Sequence, residues 1–162
     1  MELTPLHYHA TEAQEQQALF AWADAQKHSL PELELLFAVP NGMRSSSYRQ
    51  ACLMKKTGMK AGVPDLILPV PRGAYGSLFI EMKAHRKYPT KEQRDWGYAL
   101  NLHRALAVWT MGWTPAAQMI ERYLSLPAGY SVEPASEEGL VELGQHRVFL
   151  PSGCRLLLPN DA

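Results

Sequence analysis

The sequence predicts a mixed α/β domain in which a sheet is flanked by helices. Segments that lack Gly and Pro and are rich in helix-forming residues alternate with short apolar runs typical of strands. Pro, Gly and Asn-Gly turn signals separate these segments. A chain of 162 residues with 46% apolar and 20% charged residues is long and apolar enough for one packed core and is not typical of intrinsic disorder. The predicted order is α-β-α-β-β-α-β-α.

The first three elements follow from capping and turn residues. Thr11 and Gln14 fit a capping box, which predicts a helix over residues 13–28. Residues 33–39 form a short apolar run that ends at a proline, which favours a strand. An Asn-Gly turn follows, and residues 45–57 are predicted to form a second helix closed by a glycine.

The next five elements are two strands, a helix, a strand and a helix. The first two strands are separated by a turn rich in Pro and Gly, which predicts a hairpin. A second possible capping box, Thr90 with Gln93, begins the third helix. The predicted ranges are 66–70, 77–83, 91–103, 105–110 and 114–124.

The composition changes after Pro127, where Pro, Gly, Ser and Glu become frequent. Short strands are predicted over residues 141–143, 147–150 and 155–158, and the last two are expected to form a hairpin. We therefore predict a main domain over residues 11–126 and a β-rich C-terminal appendage over 127–162.

The net charge of zero conceals an asymmetry along the chain. Residues 40–104 hold 12 basic and 4 acidic residues, a balance of +8, and the rest of the chain carries the opposite balance. Such asymmetry indicates an anionic partner better than the total charge does. The two cysteines fit no disulfide framework or metal motif, and no signal peptide or bilayer-spanning run is evident, so we expect a cytoplasmic protein.

The chemically informative residues lie on the predicted hairpin. Side chains alternate along a strand, so Glu81 and Lys83 share the face opposite Ile80 and Met82. Asp65 stands at the start of the neighbouring strand, which predicts that two carboxylates and a lysine converge at one end of the sheet.

This combination suits metal-assisted hydrolysis of a phosphodiester. Mg²⁺ prefers carboxylate oxygens and keeps several waters. A bound ion polarises the phosphate and acidifies the attacking water, and a nearby lysine orients that water or stabilises the negative transition state. The ordinary alternative is a solvated Glu-x-Lys ion pair beside a turn aspartate.

Two runs carry a resemblance to a known family. Gly62-Val63-Pro64-Asp65-Leu66 followed by Phe79-Ile80-Glu81-Met82-Lys83 resembles the PD-(D/E)xK nuclease signature. The wider series over residues 11–124 resembles the VRR-NUC family, and it adds Glu12 with Gln16, Pro40-Asn41-Gly42 with Arg44, Gly58 and Gln93. Met82 stands where the family often has another aliphatic residue.

The resemblance implies a restriction-endonuclease-like core and Mg²⁺- or Mn²⁺-dependent cleavage of DNA. Stand-alone members of the family, frequent in bacteriophages and bacteria, resemble Holliday-junction resolvases and act as homodimers. The resemblance makes Asp65 and Glu81 metal ligands, the Met82 carbonyl a possible third ligand and Lys83 the catalytic lysine. Glu12 matches an acid on the first helix that completes the metal site. The supporting candidates are Glu15, which competes with Glu12 for that role, Gln16 and Gln93.

Basic and polar residues near the signature are candidate contacts to the DNA backbone. They lie on the Asn-Gly turn, at the end of the second helix and directly after the catalytic strand, where a loop would overhang the site. These candidates are Asn41, Arg44, Lys56, Lys60, His85, Arg86 and Lys87.

The residues predict metal-assisted hydrolysis of a phosphodiester, and the VRR-NUC resemblance implies a metal-dependent DNA endonuclease that selects branched or junction DNA. A flap nuclease or exonuclease is the alternative within the same chemistry. The alternatives from other classes are a catalytically silent DNA-binding module and an assembly protein with an incidental motif.

Overall fold

The computed structural model describes residues 9–40, 48–127, 132–134, 140–143 and 146–158. In these ranges the helices are α1 (Glu12–Gln26), α2 (Tyr48–Lys56), α3 (Lys91–Leu102) and α4 (Trp113–Leu124), with a 3₁₀ helix at Pro31–Leu35. The strands are β1 (Phe37–Ala38), β2 (Leu66–Leu68), β3 (Ser77–Lys83), β4 (Ala105–Met111), β5 (Val132–Pro134), β6 (Leu140–Leu143), β7 (His146–Phe149) and β8 (Cys154–Leu156).

A mixed five-stranded sheet lies at the centre of the fold, in the order β1-β2-β3-β4-β8. Strands β3 and β4 are parallel, and the other neighbours are antiparallel. Helix α3 connects the two parallel strands and packs against β4, while α1 and α4 pack together and contact β3. Strands β5, β6 and β7 form a separate antiparallel sheet. The prediction of a sheet flanked by helices is confirmed.

The two faces of β3 have different surroundings. Leu78, Ile80 and Met82 are buried in the main core together with residues of α1 and α4. Phe79 points to the other face, where it packs beside Trp109 in a smaller apolar cluster. Glu81 and Lys83 share that second face because side chains alternate along the strand.

Two local predictions are wrong. Residues 33–36 do not belong to a strand, because Pro31 begins a 3₁₀ turn that places Leu33 and Leu36, three residues apart, in the core. Residues 151–153 do not close a hairpin, because β7 pairs with β6 whereas β8 pairs with β4. Strand β8 pairs with the apolar edge of the main sheet instead of with β7, and this pairing buries Cys154.

Strand β8 brings a segment from beyond residue 127 back to the main sheet. The adjoining Leu157 is fully buried against α3, where Gly97 leaves room for it. The domain boundary at 126/127 stays a prediction. In the part of the chain that the structure describes, no helix combines the length and apolar character needed to cross a membrane.

Candidate active site

The antiparallel pairing of β2 with β3 brings Asp65 to the carboxyl end of β3. Leu66 pairs with Ile80, so the residue before β2 lies beside the last residues of β3. One carboxylate oxygen of Asp65 accepts a hydrogen bond from the backbone N–H of Met82, at 3.1 Å. This bond fixes the Asp65 side chain next to the strand that carries Glu81.

Glu81 and Lys83 form a buried ion pair at this end of the sheet. The Lys83 Nζ lies 2.5 Å from the Glu81 Oε1. Glu81 is fully buried and Lys83 is 7% exposed, so this is not the solvated pair of the ordinary alternative. Because removing two charges from water is costly, a buried pair is weak evidence for stability and is better explained by chemistry at the site.

The two carboxyl groups compete for one proton. Burial, reinforced by the negative charge of Asp65, raises the pKa of Glu81 to about 8, although Lys83 acts in the opposite direction. Burial also raises the pKa of Asp65, against the hydrogen bond from Met82. Two neighbouring carboxylates, of which Glu81 is buried and Asp65 is half-buried, cannot both ionise easily without further positive charge beside that of Lys83.

A divalent cation fits this pair of carboxylates. The Glu81 Oε2 is buried with no hydrogen-bond donor directed to it from the described residues. Carboxylate oxygens are the ligands that Mg²⁺ prefers, and an ion would balance the charge of both groups. In the described ranges no three His, Cys, Asp or Glu side chains form a closed metal cluster. The side chains available are thus those of Asp65 and Glu81, a small set that suits an ion that keeps several waters.

Helix α1 gives its two first-turn acids different partners. The Glu12 Oε1 lies 3.9 Å from the Lys83 Nζ, at the rim of the site. The Glu15 Oε2 instead accepts the N–H of Trp113, at 2.9 Å, where α4 begins. Gly112, with φ of +90°, brings the backbone close to that carboxylate. The acid beside the site is therefore Glu12, and Glu15 stabilises the N-terminus of α4.

Gln93 connects helix α3 to the site. Its Oε1 accepts the Thr90 N–H at 2.8 Å in the predicted capping box, and its Nε2 donates to the Glu81 Oε1 at 2.6 Å. One amide thus begins a helix and orients a carboxylate. The other supporting candidate, Gln16, is half-buried one turn beyond Glu12 on α1.

The backbone conformation and close packing at position 62 explain why the signature begins with glycine. Its φ is +85°, a conformation that favours glycine. A Cβ atom there would lie 2.6 Å from the backbone oxygen of Glu92. The close approach lets the start of α3 pack against the turn that leads to Asp65.

The candidate DNA contacts occupy two exposed places. His85, Arg86 and Lys87 are exposed on the loop after β3, where the His85 ring stacks on that of His9 with centroids 4.2 Å apart. Lys56 ends α2 and, like Lys60, is exposed. Asn41 and Arg44 lie outside the described residues.

The sequence reasoning missed two contacts, the Glu15–Trp113 cap and the stacking of His9 on His85. Gly112, between a predicted strand and helix, was a signal for the first, because a tight turn there exposes helix N–H groups that need an acceptor. Nothing in the sequence signals the second.

Comparison with protein families decides the class of this fold. The model of the VRR-NUC domain matches residues 5–108, a range that includes the whole signature and Gln93. The chain belongs to the VRR-NUC domain family. A solved structure described as a VRR_NUC domain protein is similar to it, with 29% sequence identity and a TM-score of 0.64 over 75% of this chain and 94% of that one. A search of curated proteins gives no match.

The VRR-NUC assignment makes this a nuclease-type domain that acts on DNA. The match ends within β4, so α4 and β8 lie beyond it. The buried cluster around Glu81 lies inside the matched range, at the end of β3.

Proposed function

We propose that this VRR-NUC protein is a metal-dependent DNA endonuclease that hydrolyses phosphodiester bonds. The observation that carries the proposal is the cluster formed by the half-buried Asp65 and the buried Glu81 and Lys83. Both carboxyl groups have a raised pKa, and no described residue donates a hydrogen bond to the Glu81 Oε2, which supports a divalent cation at this place.

Each residue of the cluster has a distinct role in this proposal. Asp65 and Glu81 hold Mg²⁺ or Mn²⁺ together with the Met82 carbonyl. When bound, the ion supplies positive charge that polarises the phosphate and acidifies the attacking water. Lys83 orients that water and stabilises the negative charge of the transition state. Glu12, near the Lys83 ammonium, extends the acidic rim of the site.

We further propose branched DNA as the substrate and a homodimer as the active form. The VRR-NUC resemblance supports both, because junction cleavage needs two sites at a fixed separation. The positive balance of residues 40–104 supports a backbone contact that weakens as salt rises.

A cleavage panel tests the proposal. Wild type and Asp65→Asn are incubated with four-way junctions, flaps, single strands and linear duplex, in Mg²⁺, Mn²⁺ or EDTA. We expect cleavage by wild type with either cation, and none in EDTA or by Asp65→Asn. Paired symmetric nicks in the junction support a dimeric resolvase, whereas cleavage near a branch on one strand supports a flap nuclease. Absence of cleavage of every substrate by wild type overturns the proposal.

A further inference from the structure

The loop after β3 carries an exposed aromatic ring that the proposed chemistry does not use. Tyr88 is 67% exposed, so most of its ring is available to a ligand. Its ring meets the buried indole of Trp109 edge-on, with centroids 5.7 Å apart and an interplanar angle of 65°. The tyrosine is thus braced against the indole while much of its ring remains open to solvent.

The loop that presents this ring is fixed at both ends. The N–H of Lys87 donates to the carbonyl of Ala84 at 3.0 Å, and Arg86 adopts a left-handed conformation with φ of +61°. Beyond the tyrosine, the Arg94 guanidinium donates to the carbonyl of Pro89 at 2.8 Å. Stacking of a ligand on the ring would therefore cost little conformational entropy, because the loop is already ordered.

The ring stands on the same side of the sheet as the catalytic carboxylate. Trp109 is the register partner of Glu81 in the parallel β3–β4 pair, so the two side chains share a face. Adjacent strands lie about 5 Å apart, so the Trp109 side chain lies next to Glu81 on this face, and the Tyr88 ring contacts that indole. The ring is therefore close enough to the site to meet a base beside the scissile phosphate.

The charge around the ring favours an anionic partner. His85, Arg86 and Lys87 precede Tyr88 directly and are all exposed. An aromatic platform beside a cationic path is the arrangement that binds single-stranded nucleic acid, because bases stack on the ring while the cations follow the backbone. In a duplex both faces of a base are already occupied, except at ends, flaps and other unpaired positions.

We propose that Tyr88 is a stacking platform for an unpaired base next to the scissile phosphate. Within branched DNA, the substrate class is then a branch with a single-stranded segment at the cleavage position, such as a flap. This inference rests on the proposed nuclease function, because it assigns a substrate feature to the same site.

Binding and base stacking test the inference without cleavage. The probe is a duplex with a short single-stranded tail that carries 2-aminopurine at successive positions, studied in Ca²⁺ in place of Mg²⁺. Wild type, Tyr88→Ala and Tyr88→Phe are compared, and Tyr98→Ala, which alters a 41%-exposed tyrosine of α3 outside the loop, is the matched control. Thermal unfolding of each variant verifies the fold.

We expect wild type, Tyr88→Phe and Tyr98→Ala to quench 2-aminopurine at one or two tail positions. Tyr88→Ala should lose this quenching and bind the tailed duplex roughly tenfold more weakly, with affinity for blunt duplex changed less than twofold. Equal quenching by Tyr88→Ala and wild type overturns the inference, as does an equal loss of affinity for tailed and blunt DNA. Because neither readout involves hydrolysis, failure of the nuclease proposal would appear separately, as absence of cleavage by wild type in Mg²⁺.

Discussion

Glu81→Gln removes the carboxyl group whose pKa the fold perturbs strongly. In the metal-free protein the Glu81 pKa rises from 4.5 to about 8, so the folded chain keeps a proton that the unfolded chain releases. A raised folded pKa adds stability that is fully present below pH 4.5 and is lost as the pH rises to about 8. Wild type without metal should therefore become less stable over this window.

The size of the effect follows from the linkage between proton binding and folding. One proton held only by the folded state changes the free energy of unfolding by about 1.4 kcal/mol per pH unit. From pH 5 to pH 7 the upper bound is roughly 3 kcal/mol. Asp65 shares the proton, so we expect wild type to lose about 1 to 3 kcal/mol relative to Glu81→Gln.

Urea unfolding of both proteins in EDTA, at unit steps from pH 5 to pH 8, measures this difference. The two proteins differ only at position 81, so the contribution of every other ionisable group cancels in the comparison. Mg²⁺ added at pH 8 should stabilise wild type and have little effect on the variant. The reasoning would be refuted if the free energies of unfolding of the two proteins changed in parallel with pH. It would also be refuted if wild type became more stable relative to the variant as the pH rises.

Three further predictions follow from the site. Gly62→Ala should lower the free energy of unfolding by roughly 2 kcal/mol more than Gly58→Ala, measured in urea, because both positions have positive φ but only the first lacks space for a Cβ atom. Glu15→Ala should lower the free energy of unfolding by about 1 kcal/mol, the value of a helix cap, and leave the cleavage rate unchanged. Glu12→Ala should leave the free energy of unfolding unchanged and slow cleavage. Lys60→Ala should reduce the slope of log affinity against log salt by about one in duplex-binding titrations.

Each of these predictions has an outcome that contradicts it. Equal destabilisation by the two glycine substitutions would show that the turn before β2 is not tightly packed against α3. Loss of cleavage in Glu15→Ala at unchanged stability would reverse the roles assigned to the two acids of α1. An unchanged salt slope in Lys60→Ala would remove that lysine from the DNA contact.

Much of the fold could be predicted because its signals are local. Alternation along residues 77–83 gave the strand its bounds and placed Glu81 and Lys83 on one face. The predicted hairpin then sufficed to bring Asp65 to the same end of the sheet. Both capping boxes, Thr11 with Gln14 and Thr90 with Gln93, are formed as the spacing suggested.

The parts of the fold and site that could not be predicted depend on contacts between distant parts of the chain. Nothing near Cys154 signals that β8 would pair with β4, because the pairing depends on an apolar sheet edge formed some 45 residues earlier. The choice between Glu12 and Glu15 required the position of α4, which follows α1 by almost 90 residues. The brace of Tyr88 against Trp109 likewise joins a loop to the next strand of the sheet.

The most direct test of the central claim is the cleavage rate of Lys83→Ala on branched DNA in Mg²⁺. The matched control is Lys91→Ala, which alters a lysine of α3 that pairs with Asp95 at the surface. We predict at least a hundredfold loss of rate for Lys83→Ala with DNA binding retained, and a wild-type rate for the control. Cleavage by Lys83→Ala at the wild-type rate would contradict the assignment of this cluster as the catalytic centre.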